Sequence, residues 1–150
     1  MLEQIINYCR IDASLATSGQ PSAAQFQEIA NAGFETIVNL ALTTSSNAIE
    51  NEAGVVAAAG MDYVHIPVSW EAPQASDVEQ FFETMQSLAG KPVWVHCALN
   101  MRVSCFVYLY RNIILGVAED EARAPMDRIW QPEGNWAELI RRVQQRREGS

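Results

Sequence analysis

Hydrophobic positions along the chain follow two periodicities that take turns. Between 76 and 90, Val78, Phe81, Phe82, Met85 and Leu88 recur at the spacing of one helical face, and Gly90 follows as a stop signal. The stretches "ETIVNL" (35–40), "DYVHIPV" (62–68) and "PVWVHC" (92–97), with a weaker one at "ASLATSG" (13–19), are short runs rich in strand formers. Such near-continuous apolar runs suit strands covered on both faces. Strands alternating with helices at this spacing predict βαβ units, so the expected fold class is α/β: a central, mostly parallel sheet of about 4–5 strands with helices on both faces.

Helix starts are marked by a small polar residue followed three positions later by an acid or amide that bonds back to it. Ser22 with Gln25, Asn47 with Glu50, Ser76 with Glu79 and Asn135 with Glu138 fit that pattern. From Arg102 to Gly116 the helix after the last strand is apolar nearly all round, which predicts that it is buried in the middle of the fold. Pro125 and Pro132 are expected to break the following region into short pieces before a last helix at about 136–147.

Composition narrows the classes. The chain has 150 residues, 49% of them apolar and 19% charged, which fits one domain over 1–150 with a full core. Net charge is −8, and it is uneven: residues 1–90 hold 11 acids and one base, residues 91–150 hold 7 acids and 9 bases. A surface this acidic argues against nucleic acid or an anionic membrane as partner. An anionic ligand would have to be caught locally, by groups in the second half. Three scattered cysteines do not form a disulfide framework, and "MLEQIINYCR" lacks the apolar core of a signal peptide. A cytoplasmic setting is expected, with an already trimmed leader left open. The two histidines and three cysteines show no metal-ligand spacing, so neither a metal nor a cofactor is expected. Oligomeric state is unknown from the sequence.

The chemistry gathers in "VWVHCALNMRVSCF", where strand formers give way to helix formers. A helix N-terminus offers unpaired N–H groups and a partial positive charge, and it stands here at the carboxyl end of a parallel strand, where open α/β sheets place ligands. The same field favours a thiolate at Cys97, and Arg102 at the helix start offers a bidentate fork for an oxyanion. The loop contains no glycine, so any left-handed position it needs falls to Asn100.

The order strand, His-Cys, short loop, Arg, helix resembles the cysteine-dependent phosphatases, especially the dual-specificity group. The likeness extends to "LATSGQP", "TIVNLAL" and "YVHIPV", and is closest to the bacterial proteins related to the phosphatase-like domain of beta-lactamase-hydrolase-like proteins. It implies a phosphatase-like three-layer sandwich acting on an anionic phosphate ester. By the same resemblance Cys97 is the nucleophile that forms a phosphocysteine, and Ala98, Leu99, Asn100, Met101 and Arg102 bind the phosphoryl oxygens. The general acid belongs on the loop "IPVSWEAPQASD"; Glu71, between Trp70 and Pro73, is the choice over Asp77, whose place at a helix start suits a capping role. The sequence departs from the pattern in two ways. Four residues rather than five separate Cys97 from Arg102, which is the loop length of rhodanese-like sulfurtransferases. Val103 follows the arginine, so the hydroxyl that steadies the leaving thiolate is assigned to Ser104, seven residues past the cysteine. A persulfide carrier and a catalytically weak anion-binding interaction domain are therefore the alternatives to a phosphatase. His65 reads as a core histidine, His96 as a residue that orders the loop, and Gln20 as loop packing.

Overall fold

Side chains along each strand alternate between two apolar layers, and that alternation builds the molecule. Ala16, Ile37 and Trp94 pack to one side with Phe26, Ile29 and Val56, whereas Leu15, Val38, Val93 and Val95 pack to the other with Val78, Phe81, Phe82, Phe106 and Trp136. The sheet is therefore covered on both faces, as its period of two requires. The structure, a computed structural model, describes residues 1–148, with side chains through residue 146; positions 149–150 of the expected domain lie outside the described residues.

The elements run β1 (Cys9–Arg10), β2 (Leu15–Ser18), α1 (Ala23–Asn31), β3 (Thr36–Asn39), α2 (Glu52–Ala58), β4 (Asp62–His65), α3 (Ala75–Ser87), β5 (Val93–His96), α4 (Met101–Leu109), α5 (Glu119–Ile129) and α6 (Asn135–Glu148). The strand order is β1-β2-β5-β3-β4, parallel throughout except for the β1–β2 pair. This is the expected α/β sandwich. The strand β1 carries no period-two pattern in its two residues and emerges only from its pairing with β2. β4 lies at the other edge and is only half buried, although its run reads as apolar.

Register sets the carboxyl ends side by side: His96 pairs with Ser18 on one flank and with Asn39 on the other, and Asn39 pairs with His65. Leaving that edge, α4 is buried from Arg102 to Leu109 and then relaxes into a π-turn at Tyr110–Ile114. It is the central helix that its composition predicts.

Three expected helix starts shift. Ser22 and Gln25 do form the reciprocal box. Asn47 and Glu50 do not, because α2 begins later, after Asn51 in a left-handed conformation. At α3 the start is Ala75, and Asp77 rather than Glu79 is the acid whose side chain accepts the N–H three residues back, from Gln74 at 3.1 Å. Asn135 is inside α6, and its amide donates to the Glu71 carbonyl instead of capping. Pro125 also sits inside α5 instead of ending it. The carbonyl four residues earlier, Glu121, which loses its helical partner to the missing N–H, accepts from Arg111 Nη1 at 3.5 Å. Among the described residues no helix is long and apolar enough to cross a membrane.

Candidate active site

Residues 97–100 carry the chain from the end of β5 into the first turn of α4, and the turn is made at Asn100. Asn100 has φ 68° and ψ 4°, the left-handed conformation that asparagine tolerates best after glycine. Its side chain is fully buried, and Nδ2 donates to the Asn7 carbonyl at 2.8 Å and to Thr17 Oγ1 at 3.1 Å. The backbone is fastened from outside as well. Ala98 O accepts from Gln20 N–H at 3.0 Å and from Asn47 Nδ2 at 3.1 Å, and Leu99 O accepts from Asn7 Nδ2 at 2.8 Å. Met101 O accepts from Ser104 Oγ at 2.7 Å and Trp130 Nε1 at 3.1 Å. In a trans peptide the N–H of the next residue points opposite to the carbonyl. Fastening these three carbonyls to the scaffold therefore turns the amides of Leu99, Asn100 and Arg102 away from it.

The outer side of the loop borders a cavity of about 160 Å³ lined by Trp70, Cys97, Ala98, Leu99, Met101 and Arg102. Arg102 is buried, and its Nη1 donates to the Val68 carbonyl at 3.0 Å. A guanidinium has five N–H groups, so one bond to a carbonyl orients it without exhausting it. Trp70 forms the opposite wall. It stacks within 5.3 Å of Trp130 and 5.5 Å of Trp136, and its carbonyl accepts from Trp136 Nε1 at 2.9 Å. The three indoles thus tie the connection after β4 to the last two helices. Cys97 is a free thiol at this wall, buried like Cys9 and Cys105. Cys105 lies deeper, where burial pushes its thiol up to about 12 and keeps it protonated.

Among the residues singled out from sequence, Cys97, Ala98, Leu99, Met101 and Arg102 share this cavity, and Asn100 supports it from behind. Three others stand elsewhere. Ser104 donates its one hydroxyl proton to Met101 O and accepts from Trp130 Nε1 at 3.0 Å, so in this arrangement it has no proton for the Cys97 sulfur. Glu71 neighbours the cavity wall at Trp70 but its side chain is exposed. Asp77 is held by the capping bond to Gln74. His65 donates from Nε2 to the Ala41 carbonyl at 2.7 Å, a structural role on the edge strand.

Two features were not read from the sequence. Glu52, at the first position of α2, looks like an acid complementing its own helix dipole. It is instead 8% exposed and lies 2.7 Å from His96 Nε2 and 2.7 Å from Gln20 Nε2. Burial raises its pKa, but the bonds from His96 and Gln20 outweigh that and hold the carboxyl below its ordinary value. The second is Gly19. A Cβ there would stand 2.5 Å from Ala98 O and 2.9 Å from Ile6 Cγ2, so a bare backbone is needed where β2 meets the loop. Gly19→Ala is expected to cost about 1–3 kcal/mol as the loop is pushed outward. The measurement is Tm, expected to fall by several degrees; an unchanged value would mean the loop gives way freely.

The family model for DSP-PTPase phosphatases fused to NAD+ kinase matches residues 6–140. The chain is 34% identical over 91 residues to a beta-lactamase hydrolase-like protein of Agrobacterium fabrum, covering 59% of this chain and 21% of that protein. It is 31% identical over 118 residues to the namesake protein of Xylella fastidiosa, covering 76% of this chain and 27% of that one. The chain thus spans about a quarter of the length of these curated relatives or less. Among solved structures, a DUF442 candidate phosphatase of Shewanella putrefaciens CN-32 superposes with a TM-score of 0.87 at 35% identity, over 97% of this chain and 95% of that one.

Proposed function

Because the chain belongs to the family of DSP-PTPase phosphatases fused to NAD+ kinase, we propose that it hydrolyses phosphate monoesters with Cys97 as the nucleophile, residues 1–150 acting as one domain. The observation that carries this reading is the shared cavity of about 160 Å³, lined by Cys97, by Arg102 and by the residues that lead into α4. A protein of net charge −8 repels an anion at long range. Capture therefore falls to this cationic niche.

In the proposed cycle the Cys97 thiolate attacks phosphorus. The S–P bond forms as the bond to the leaving oxygen breaks, and that oxygen takes a proton from Glu71. Water, giving a proton back to the Glu71 carboxylate, then attacks phosphorus, the S–P bond breaks, and inorganic phosphate leaves with the thiolate and the acid regenerated. Arg102 and the amides of Ala98–Arg102 hold the equatorial oxygens, where charge gathers in the transition state. The chemistry sits at the carboxyl end of a parallel sheet in a chain with three free cysteines, which fits a reducing, cytoplasmic setting.

The four-residue spacing from Cys97 to Arg102 favours a second reading, in which Cys97 carries a sulfane sulfur. One pair of assays separates them. Turnover of a generic aryl phosphate supports the phosphatase; its absence, together with a mass gain of one sulfur atom on Cys97 after thiosulfate, supports sulfur transfer. The assignment of Glu71 has its own test. Glu71→Gln is expected to lower kcat about 100-fold for an aryl ester with a poor leaving group, and less for a good one that needs no proton. Equal kcat values for variant and parent on the poor leaving group would remove Glu71 from the mechanism.

A further inference from the structure

The proposed cycle makes no use of the buried carboxylate of Glu52. We infer that Glu52 is a positioning residue that fixes His96 as an imidazolium, so that a positive charge stands immediately before Cys97 in the chain. The inference rests on Cys97 being the reactive thiol, and it does not depend on which group that thiol transfers.

The hydrogen bonds of His96 carry the argument. Its ring is fully buried; Nε2 lies 2.7 Å from Glu52 Oε2 and Nδ1 lies 3.2 Å from the Cys97 carbonyl. A carbonyl and an ionised carboxylate can only accept. A neutral imidazole has one N–H and satisfies one of them; the ring that satisfies both carries two. Glu52 is equipped to stay ionised. Its other oxygen accepts from Gln20 Nε2, which in turn donates to the Pro21 carbonyl at 2.9 Å, so the amide is locked with its donors toward the acid.

Two further titratable groups, Glu50 and His65, line the same pocket as Glu52, and His65 is engaged through Nε2 with the Ala41 carbonyl at 2.7 Å. Tyr63 on β4, the further titratable group bonded to Glu52, has its hydroxyl pushed up to about 12, mainly by burial, and so remains a neutral donor. Phe26 of α1 meets the His96 ring edge at 5.8 Å. Beyond Cys97, the neighbouring groups are the Arg102 guanidinium and the neutral Cys105 thiol. The imidazolium thus lies between its carboxylate on one side and the Cys97 peptide on the other. A buried imidazolium without its acid is strongly disfavoured, so removing the charge of Glu52 expels the proton from His96.

The test reads the thiol directly. Alkylation of Cys97 by iodoacetamide is followed against pH by peptide mass spectrometry in the parent chain and in Glu52→Gln, which keeps the shape and removes the charge. The midpoint is expected to rise by about one pH unit in the variant, a tenfold smaller thiolate fraction below it. An unchanged or lower midpoint overturns the inference. A second measurement needs no variant: ring nitrogen NMR of the parent at pH 7, simple to assign because the chain has two histidines. Two protonated ring nitrogens on His96 support the inference, and a neutral ring overturns it. A shifted alkylation midpoint in a protein that turns over no phosphate ester would uphold this role for Glu52 while removing the phosphatase reading.

Discussion

Cys97→Ser is expected to abolish turnover of an aryl phosphate, by more than about 1,000-fold in kcat, and to leave Tm close to that of the parent. The asymmetry follows from two properties of the position. As a nucleophile, a serine hydroxyl stays protonated near neutral pH, so the attacking anion that the proposed cycle needs is lost. As a packing element, serine is slightly smaller than the thiol it replaces, and Cys97 belongs to a large buried apolar cluster, with Val95 of β5 and Val103 of α4 among its members. The loop fastenings at Ala98, Leu99 and Met101 involve backbone atoms that the change does not touch. Inorganic phosphate should therefore still bind. Turnover that survives the substitution would sink the assigned nucleophile, and loss of Tm by more than several degrees would show that the thiol is a structural element first.

The second large effect is expected at Arg102. Arg102→Lys keeps the charge yet should lower kcat/KM about 100- to 1,000-fold, because an ammonium cannot offer a planar fork to two phosphoryl oxygens. There is a further cost. The guanidinium uses one nitrogen to hold Val68 O, two residues before Trp70. A lysine that turns to the anion releases that carbonyl, and one that keeps the carbonyl abandons the anion. Loosening the Val68–Trp70 segment should disturb the stack of Trp70 on Trp130 and Trp136, so the variant's tryptophan emission is expected to shift as its activity falls. A lysine variant with parental kcat/KM and emission would remove Arg102 from the site.

What the sequence made legible was local. The β5–α4 junction could be read because a strand run, a polar break and an apolar helix follow one another within about twenty residues. Asn100 as the left-handed residue follows from the lack of glycine in the loop. The Ser22–Gln25 box, both of whose bonds lie within four residues, formed as its spacing predicts. Signals failed where a distant partner outbid a near one. The amide of Asn47 goes to Ala98 O, just past the central strand β5, instead of starting a helix. Asn135 goes to Glu71 O. Asp77 and Glu79 both satisfied an acid-at-three pattern, and the start of α3 at Ala75 decided between them. Pro125 was tolerated in a helix because Arg111, fourteen residues earlier, supplies a donor to the stranded carbonyl. Glu52 is the most consequential of these. Nothing in "NEAGVV" distinguishes a surface acid from one buried against His96, since the distinction is made by the register of β3 and β5.

The fastenings of the anion loop also bear on how the protein matures. Asn7 and Leu99, 92 residues apart in sequence, meet through Asn7 Nδ2, and Asn100 returns a bond to Asn7 from 93 residues away. Thr17 and Asn100 close a span of 83 residues. Contacts of such long range form late, after the loop-closure entropy of spans up to 93 residues has been offset by the sheet. A partly folded species with β2, β3 and β5 already paired would have its hydrophobic layers assembled and its anion loop still open. Recovery of phosphate binding during refolding should therefore trail recovery of the sheet, making the last step of folding the one that switches on chemistry.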